Sequence, residues 1–236
     1  MKASLVLLHG LFGGLSNWKS TKKHFENKYN VFVPQLPISD DSKGNKLEYL
    51  TEYLHHYITE NNISDCVLVG NSLGGHIAVL YYHKYPEFIR GLILTGSSGL
   101  FENSMLDQFP RRHDYTYITE RVQYTFFDPS TATQSLISDV YNIISDNRRC
   151  LQIIKAAKTA QRNDVGQELS DIDIPVLLIW GNQDRITPPS VAKEFHSLIK
   201  NSELIYIDEC GHAPMMEQPE VFNKYITQYL DRLLII

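Results

Sequence analysis

Cys66-Val67-Leu68-Val69-Gly70-Asn71-Ser72-Leu73-Gly74-Gly75-His76-Ile77-Ala78-Val79-Leu80 decides the fold of this chain. Four apolar residues, three of them aliphatic, read as a buried strand, the run after Gly75 reads as a helix, and Gly70-Asn71-Ser72-Leu73-Gly74 joins them. A serine on so sharp a strand-to-helix turn adopts strained backbone angles. Side chains at the two flanking positions would strike the neighbouring strand and helix, and glycine removes both collisions. The pattern is a nucleophile elbow, with Ser72 its exposed hydroxyl.

Working outward, short apolar runs recur at Leu5 to Leu8, Val31 to Pro34, Leu92 to Thr95, Val176 to Trp180 and Leu204 to Ile207. Helical patterns lie between most of them, at Trp18 to Asn27, Leu47 to Glu60, Leu73 to Tyr85, Pro189 to Ile199 and Pro219 to Leu234. This alternation predicts an α/β fold with a mostly parallel sheet covered by helices on both faces. Pro189 and Pro219 suit first helical positions, and Pro86 stops the helix behind the elbow. Between Gly99 and Ile174 no strand is convincing, whereas Leu136, Ile137, Val140, Tyr141, Ile143 and Ile144 fall at helical spacing. We expect a core domain of residues 1–98 and 171–236 and a helical lid insertion over 99–170. Loops after the carboxyl ends of parallel strands border the ligand crevice, so the insertion is expected over Ser72.

Composition narrows the function classes. The 236 residues, 43% hydrophobic, suffice for one full core, and the formal net charge of −5, with scattered Lys and Arg, offers no track for nucleic acid. No apolar run is long enough to span a membrane, and the start of the chain resembles a strand rather than a signal segment. Cys66, Cys150 and Cys210 are odd in number and far apart, fitting a reducing compartment better than a disulfide framework or zinc site. A cytoplasmic protein is expected, with no metal or organic cofactor.

A serine hydroxyl needs a base within reach, and the base needs a partner that holds its tautomer. Asp184, in the turn after Trp180-Gly181-Asn182-Gln183, and His212, after Glu209-Cys210-Gly211, both follow strands at the edge where Ser72 lies. The nearest rival acid, Asp173, precedes its strand and belongs at the opposite edge. His9 also ends a strand, in Leu8-His9-Gly10-Leu11, and is expected to be a hydrogen-bonded structural residue. The tetrahedral oxyanion formed by attack of Ser72 needs preorganised N–H donors. Leu73, at the start of the helix, is one candidate donor. Leu11 is the first choice for the other and Phe12 the second, in a loop where Gly10, Gly13 and Gly14 permit close approach. Phe12, Asn71, Phe126 and Phe127 are candidate substrate contacts, with Tyr115, Tyr117 and Tyr124 further aromatics for an apolar pocket.

These residues together resemble the α/β-hydrolase superfamily over nearly the whole chain: His9-Gly10, the elbow, the Trp180 to Asp184 turn, and Gly211-His212 with Pro214 and Pro219. Gly70-Asn71-Ser72-Leu73-Gly74-Gly75-His76 and Phe127-Asp128-Pro129-Ser130 further resemble the hydrolases that cleave a carbon–carbon bond in meta-cleavage products, and small carboxylesterases look similar too. Ala213 stands where those carbon–carbon hydrolases carry tryptophan. Measured against the family, the chain opens at the third strand, which leaves about six strands and a bare sheet edge on the side of the Leu5 strand, a candidate homodimer surface. The resemblance implies a serine hydrolase acting on a small or medium-sized ester through Ser72, His212 and Asp184. Carbon–carbon hydrolysis is the alternative, and a noncatalytic ligand-binding protein on the same scaffold is the alternative from another class.

Overall fold

The computed structural model describes residues 2–13, 18–103 and 111–233. Six strands form one sheet: β1 (Ser4–Leu8), β2 (Asn30–Phe32), β3 (Cys66–Asn71), β4 (Ile89–Thr95), β5 (Val176–Gly181) and β6 (Ser202–Ile207). Their order is β2-β1-β3-β4-β5-β6, and every neighbouring pair is parallel. All carboxyl ends therefore open on one edge. The helices outside the expected insertion are α1 (Lys19–Phe25), α2 (Lys46–Glu60), α3 (Leu73–Lys84), α8 (Pro189–Leu198), α9 (Pro214–Glu217) and α10 (Pro219–Leu233).

Strand alternation sorts the core into two layers. Val6, Leu8 and Leu68 face a layer built with Leu50, Leu54, Ile77 and Phe195, whereas Leu5, Leu7, Val67 and Val69 face Trp18, Phe25, Phe222 and Ile226. Both faces are covered, which is why β1, β3 and β5 are apolar without alternating polar positions. Cys66 belongs to the first layer, and Cys66, Cys150 and Cys210 are all buried free thiols.

Between β4 and β5 lie α4 (Tyr115–Tyr124), α5 (Gln134–Ser145), α6 (Asn147–Arg162) and α7 (Gly166–Ser170), with no strand among the described residues. Local chemistry sets their starts: the side chains of Asp114, Thr133 and Asp146 accept hydrogen bonds from the backbone N–H groups of Tyr117, Leu136 and Arg149. Ile137, Val140 and Ile144 pack onto the second layer, and Ile153, Ala156 and Ala160 onto the first.

Several expectations need correction. The first helix is shorter than Trp18 to Asn27, because Trp18 stands at its cap and the N–H of Tyr29 already closes a turn onto the carbonyl of Phe25. The strand before the elbow continues to Asn71, whose register partner is Thr95. The sheet edge on the side of the Leu5 strand is β2: the crossover through α1 returns the chain to the outer side of β1, where three-residue β2 pairs with it. Gly14, expected in the loop after β1, and Leu234, expected to end the last helix, lie outside the described residues. Among the described residues, no helix is long and apolar enough to cross a membrane.

The two elbow glycines are required by contact. A Cβ on Gly70 would lie 2.5 Å from the carbonyl oxygen of Gly74, and one on Gly74 would overlap the carbonyl oxygen of Leu8. Gly44 contrasts with them: its φ is +74°, with open space around it. Gly74→Ala should cost about 3 kcal/mol of stability, since the obstacle is backbone. Gly44→Ala should cost only the ~1 kcal/mol of a left-handed conformation. Equilibrium urea denaturation of the two variants checks both size and order.

Candidate active site

Ser72 is the pivot between β3 and α3. Its φ of 55° and ψ of −123° place a non-glycine residue at positive φ, a strained conformation held by its surroundings. The N–H of Ser72 donates to the carbonyl of Thr95 at 3.1 Å, and its own carbonyl accepts from Gly75, His76 and Ser98 at 2.9, 3.2 and 3.2 Å.

Asp184 lies in the turn after β5 and is buried. Its Oδ1 accepts from the backbone N–H groups of Ile186 and Thr187 at 2.8 and 3.0 Å. Its Oδ2 accepts from Thr187 Oγ1 at 2.9 Å and pairs with His212 Nδ1 at 2.9 Å. Every hydrogen bond but the last orients the carboxylate; the last orients the imidazole. Asp173 is on the far side of the sheet, at the amino end of β5, where it accepts from the hydroxyl of Tyr82.

His212, buried after β6, is held along its backbone as well. Its N–H donates to the carbonyl of Thr125 at 3.0 Å, and its carbonyl accepts from Asn71 Nδ2 at 3.0 Å. Burial disfavours the imidazolium, but the charge and hydrogen bond of Asp184, with the charges of Glu102 and Glu217, outweigh it and leave the His212 pKa raised. With Nδ1 engaged by Asp184, Nε2 is the nitrogen left for the cavity.

Ser72 and His212 line one cavity of about 140 Å³ with Leu11, Phe12, Val122, Phe126, Ile186 and Met216 among its apolar walls. Asn71 also lines it, yet both donors of its amide are committed, to the carbonyls of Thr95 and His212 at 3.1 and 3.0 Å. Leu11 follows Gly10 in a turn closed by the N–H of Gly13 on the carbonyl of Gly10 at 3.1 Å. Leu73 opens α3 directly after Ser72, and its side chain is buried in the first core layer. Phe127 departs from expectation. Whereas Phe126 points inward, Phe127 is exposed and absent from the described cavity wall, because its backbone turns to donate to Glu217 Oε2 at 2.7 Å. Of the insertion aromatics named from sequence, only Phe126 is among the described lining residues.

His9 has the structural part expected of it. Its Nδ1 donates to the carbonyl of Gly10 at 2.8 Å and its Nε2 accepts from the N–H of Leu36 at 2.9 Å. Burial holds its pKa below the ordinary value despite the Gly10 hydrogen bond.

Sequence reasoning missed two acids. Glu217 Oε2 accepts from the N–H groups of Gly211 and Phe127 at 3.0 and 2.7 Å, and Oε1 from Ala213 at 3.1 Å, so one carboxylate joins both sides of the His212 loop to the insertion. In sequence it reads as an ordinary first-turn acid near Pro214; its spacing of five after His212 was the available signal. Glu102 lines the cavity from a segment without a readable pattern.

The profile of the alpha/beta hydrolase family matches residues 5–225. A 2-hydroxy-6-oxononadienedioate/2-hydroxy-6-oxononatrienedioate hydrolase of Escherichia coli is 28% identical over 251 aligned positions, covering 97% of this chain and 87% of the relative. Among solved structures, MGS-MChE2, an alpha/beta hydrolase enzyme from the metagenome of lagoon sediments of Mar Chica, Morocco, is 32% identical with a TM-score of 0.79, over 98% of this chain and 92% of that one. An esterase from Thermogutta terrifontis shares the fold at a TM-score of 0.77 and 23% identity, over 99% of this chain and 91% of its own.

The raised His212 pKa has a checkable sign. By NMR titration His212 should protonate above 6.5, the ordinary imidazole value. Asp184→Asn should bring that midpoint down, because removing the carboxylate charge leaves burial less opposed. A midpoint unmoved by the substitution would contradict the pairing.

Proposed function

Because the chain belongs to the alpha/beta hydrolase family, we propose that it is a serine hydrolase cleaving a small or medium-sized ester, with Ser72 as nucleophile, His212 as base and Asp184 as its orienting partner. The observation that carries the reading is the convergence of three strand ends: Ser72 and His212 line one cavity, and His212 Nδ1 pairs with Asp184 Oδ2 at 2.9 Å.

Each step follows from the groups available. His212 Nε2 takes the proton of the Ser72 hydroxyl as Oγ attacks the ester carbonyl, and Asp184 stabilises the resulting imidazolium. The N–H of Leu73, at the positive end of α3, and that of Leu11 are assigned to the oxyanion. The imidazolium gives its proton to the leaving alcohol, and the acyl-enzyme is then resolved by water that His212 activates in turn. The helices over 99–170 serve as the lid, with Phe126 and Val122 offering apolar surface to the acyl or alcohol group.

Carbon–carbon hydrolysis of a dienolate is the second reading, favoured by the 28% identical relative. Two features that suggested it from sequence support it less in three dimensions: the amide donors of Asn71 are already used, and Phe127 faces outward.

Hydrolysis of p-nitrophenyl esters from acetate to octanoate tests the proposal. Wild type should turn over, its chain-length optimum sizing the cavity that Ser72 and His212 line, and Ser72→Ala should lose on the order of a millionfold in kcat. Retained activity in that variant would sink the mechanism. Since neutral His212 is the base, kcat/KM should fall as pH drops through a midpoint above 6.5, the direction set by the raised pKa.

A further inference from the structure

Glu102 is a carboxylate placed where the proposed chemistry does not need one. It follows Leu100-Phe101 after β4, is half-buried, and lines the cavity that holds Ser72 and His212. Burial raises its pKa, and the field of His212 opposes that rise; reciprocally, Glu102 is among the charges that favour protonated His212. Among the described residues lining the cavity, none is lysine or arginine. The undescribed stretches 14–17 and 104–110 contain neither residue type in sequence.

A negative group in a mostly apolar cavity, with no fixed cation to neutralise it, repels a second negative group more strongly than it would in water. We propose that Glu102 is a specificity-determining residue that excludes carboxylate-bearing substrates and restricts the site to uncharged esters. The inference rests on the serine-esterase reading and names its substrate class. It also bears on the relative from Escherichia coli, whose named substrates are dioates: a doubly anionic chain would meet Glu102 with no counter-charge on the described wall. The orienting carboxylate Asp184 does not act the same way, since its oxygens are taken by Ile186, Thr187 and His212.

The test compares p-nitrophenyl butyrate with p-nitrophenyl hemisuccinate, which differ chiefly in a terminal carboxylate, at pH 8 in wild type and in Glu102→Gln. The readout is the ratio of the two kcat/KM values within each protein, from which loss of folded enzyme cancels. Wild type should favour the butyrate, and Glu102→Gln should shift the ratio toward the hemisuccinate by about tenfold, the scale expected when a desolvated like-charge contact is relieved. A ratio that does not move, or a wild type indifferent to the carboxylate, overturns the filter while leaving the serine mechanism standing. If wild type cleaves neither ester, the esterase reading fails by itself, and the filter is then read on bleaching of an anionic dienolate. There a gain of about tenfold in Glu102→Gln keeps the filter, and an unchanged or lower rate overturns it.

Discussion

The packing of α3 against β1 leaves no room for a single carbon at Gly74, whose missing side chain would overlap the carbonyl oxygen of Leu8. Much of the site depends on that contact. It lets the helix begin with only Ser72 between it and the strand, forcing Ser72 into positive φ, and the Ser72 carbonyl then becomes the acceptor for Gly75, His76 and Ser98. The same closeness brings the loop after β1 alongside the elbow: a Cβ on Gly10 would lie 3.1 Å from that of Ser72. Backbone here approaches backbone at distances that only glycine permits, and these contacts set where Ser72 sits.

Around His212 the structure builds a second, electrostatic constraint. Three carboxylates act on one buried imidazole, and each is held differently. Asp184 bonds the ring directly. Glu217 is held in place by three backbone N–H groups, those of Gly211, Ala213 and Phe127. Glu102 faces the cavity itself. Because burial by itself would discharge the ring, the raised pKa of His212 measures how far these acids overcome desolvation. The contrast with His76 is instructive: it is buried too, its ring nitrogen meets the neutral Asn163 at 2.8 Å, and burial pushes it down to about 4.

The helical stretch between β4 and β5 is joined through backbone to the sheet edge that carries Ser72 and His212. Thr125 accepts from the N–H of His212, Phe127 donates to Glu217, and Val165 donates to the carbonyl of Gly99 at 2.8 Å. A Cβ on Gly211 would come within 2.8 Å of both Thr125 O and Phe127 N, so the glycine before the histidine is required by the backbone of residues 125–127 packed against it.

Local sequence determined the sheet, the elbow and the places of Ser72, Asp184 and His212, because each is written in short-range chemistry: apolar runs of strand length, glycines where backbone must pass, and a polar residue in the turn at a strand's end. Phe126 was legible only as one aromatic among several. What tertiary structure alone decided is which way neighbours point and which distant charges meet. Phe126 and Phe127 are adjacent and chemically alike, yet the hydrogen bond of Phe127 to Glu217, ninety residues away, turns one inward and the other to solvent. The edge position of β2 follows from the side on which its crossover returns, which no local pattern encodes. Glu102 and Glu217 read as unremarkable surface acids until folding brings them beside His212, because a carboxylate's influence depends on its distance and burial in three dimensions and leaves no periodic trace along the chain.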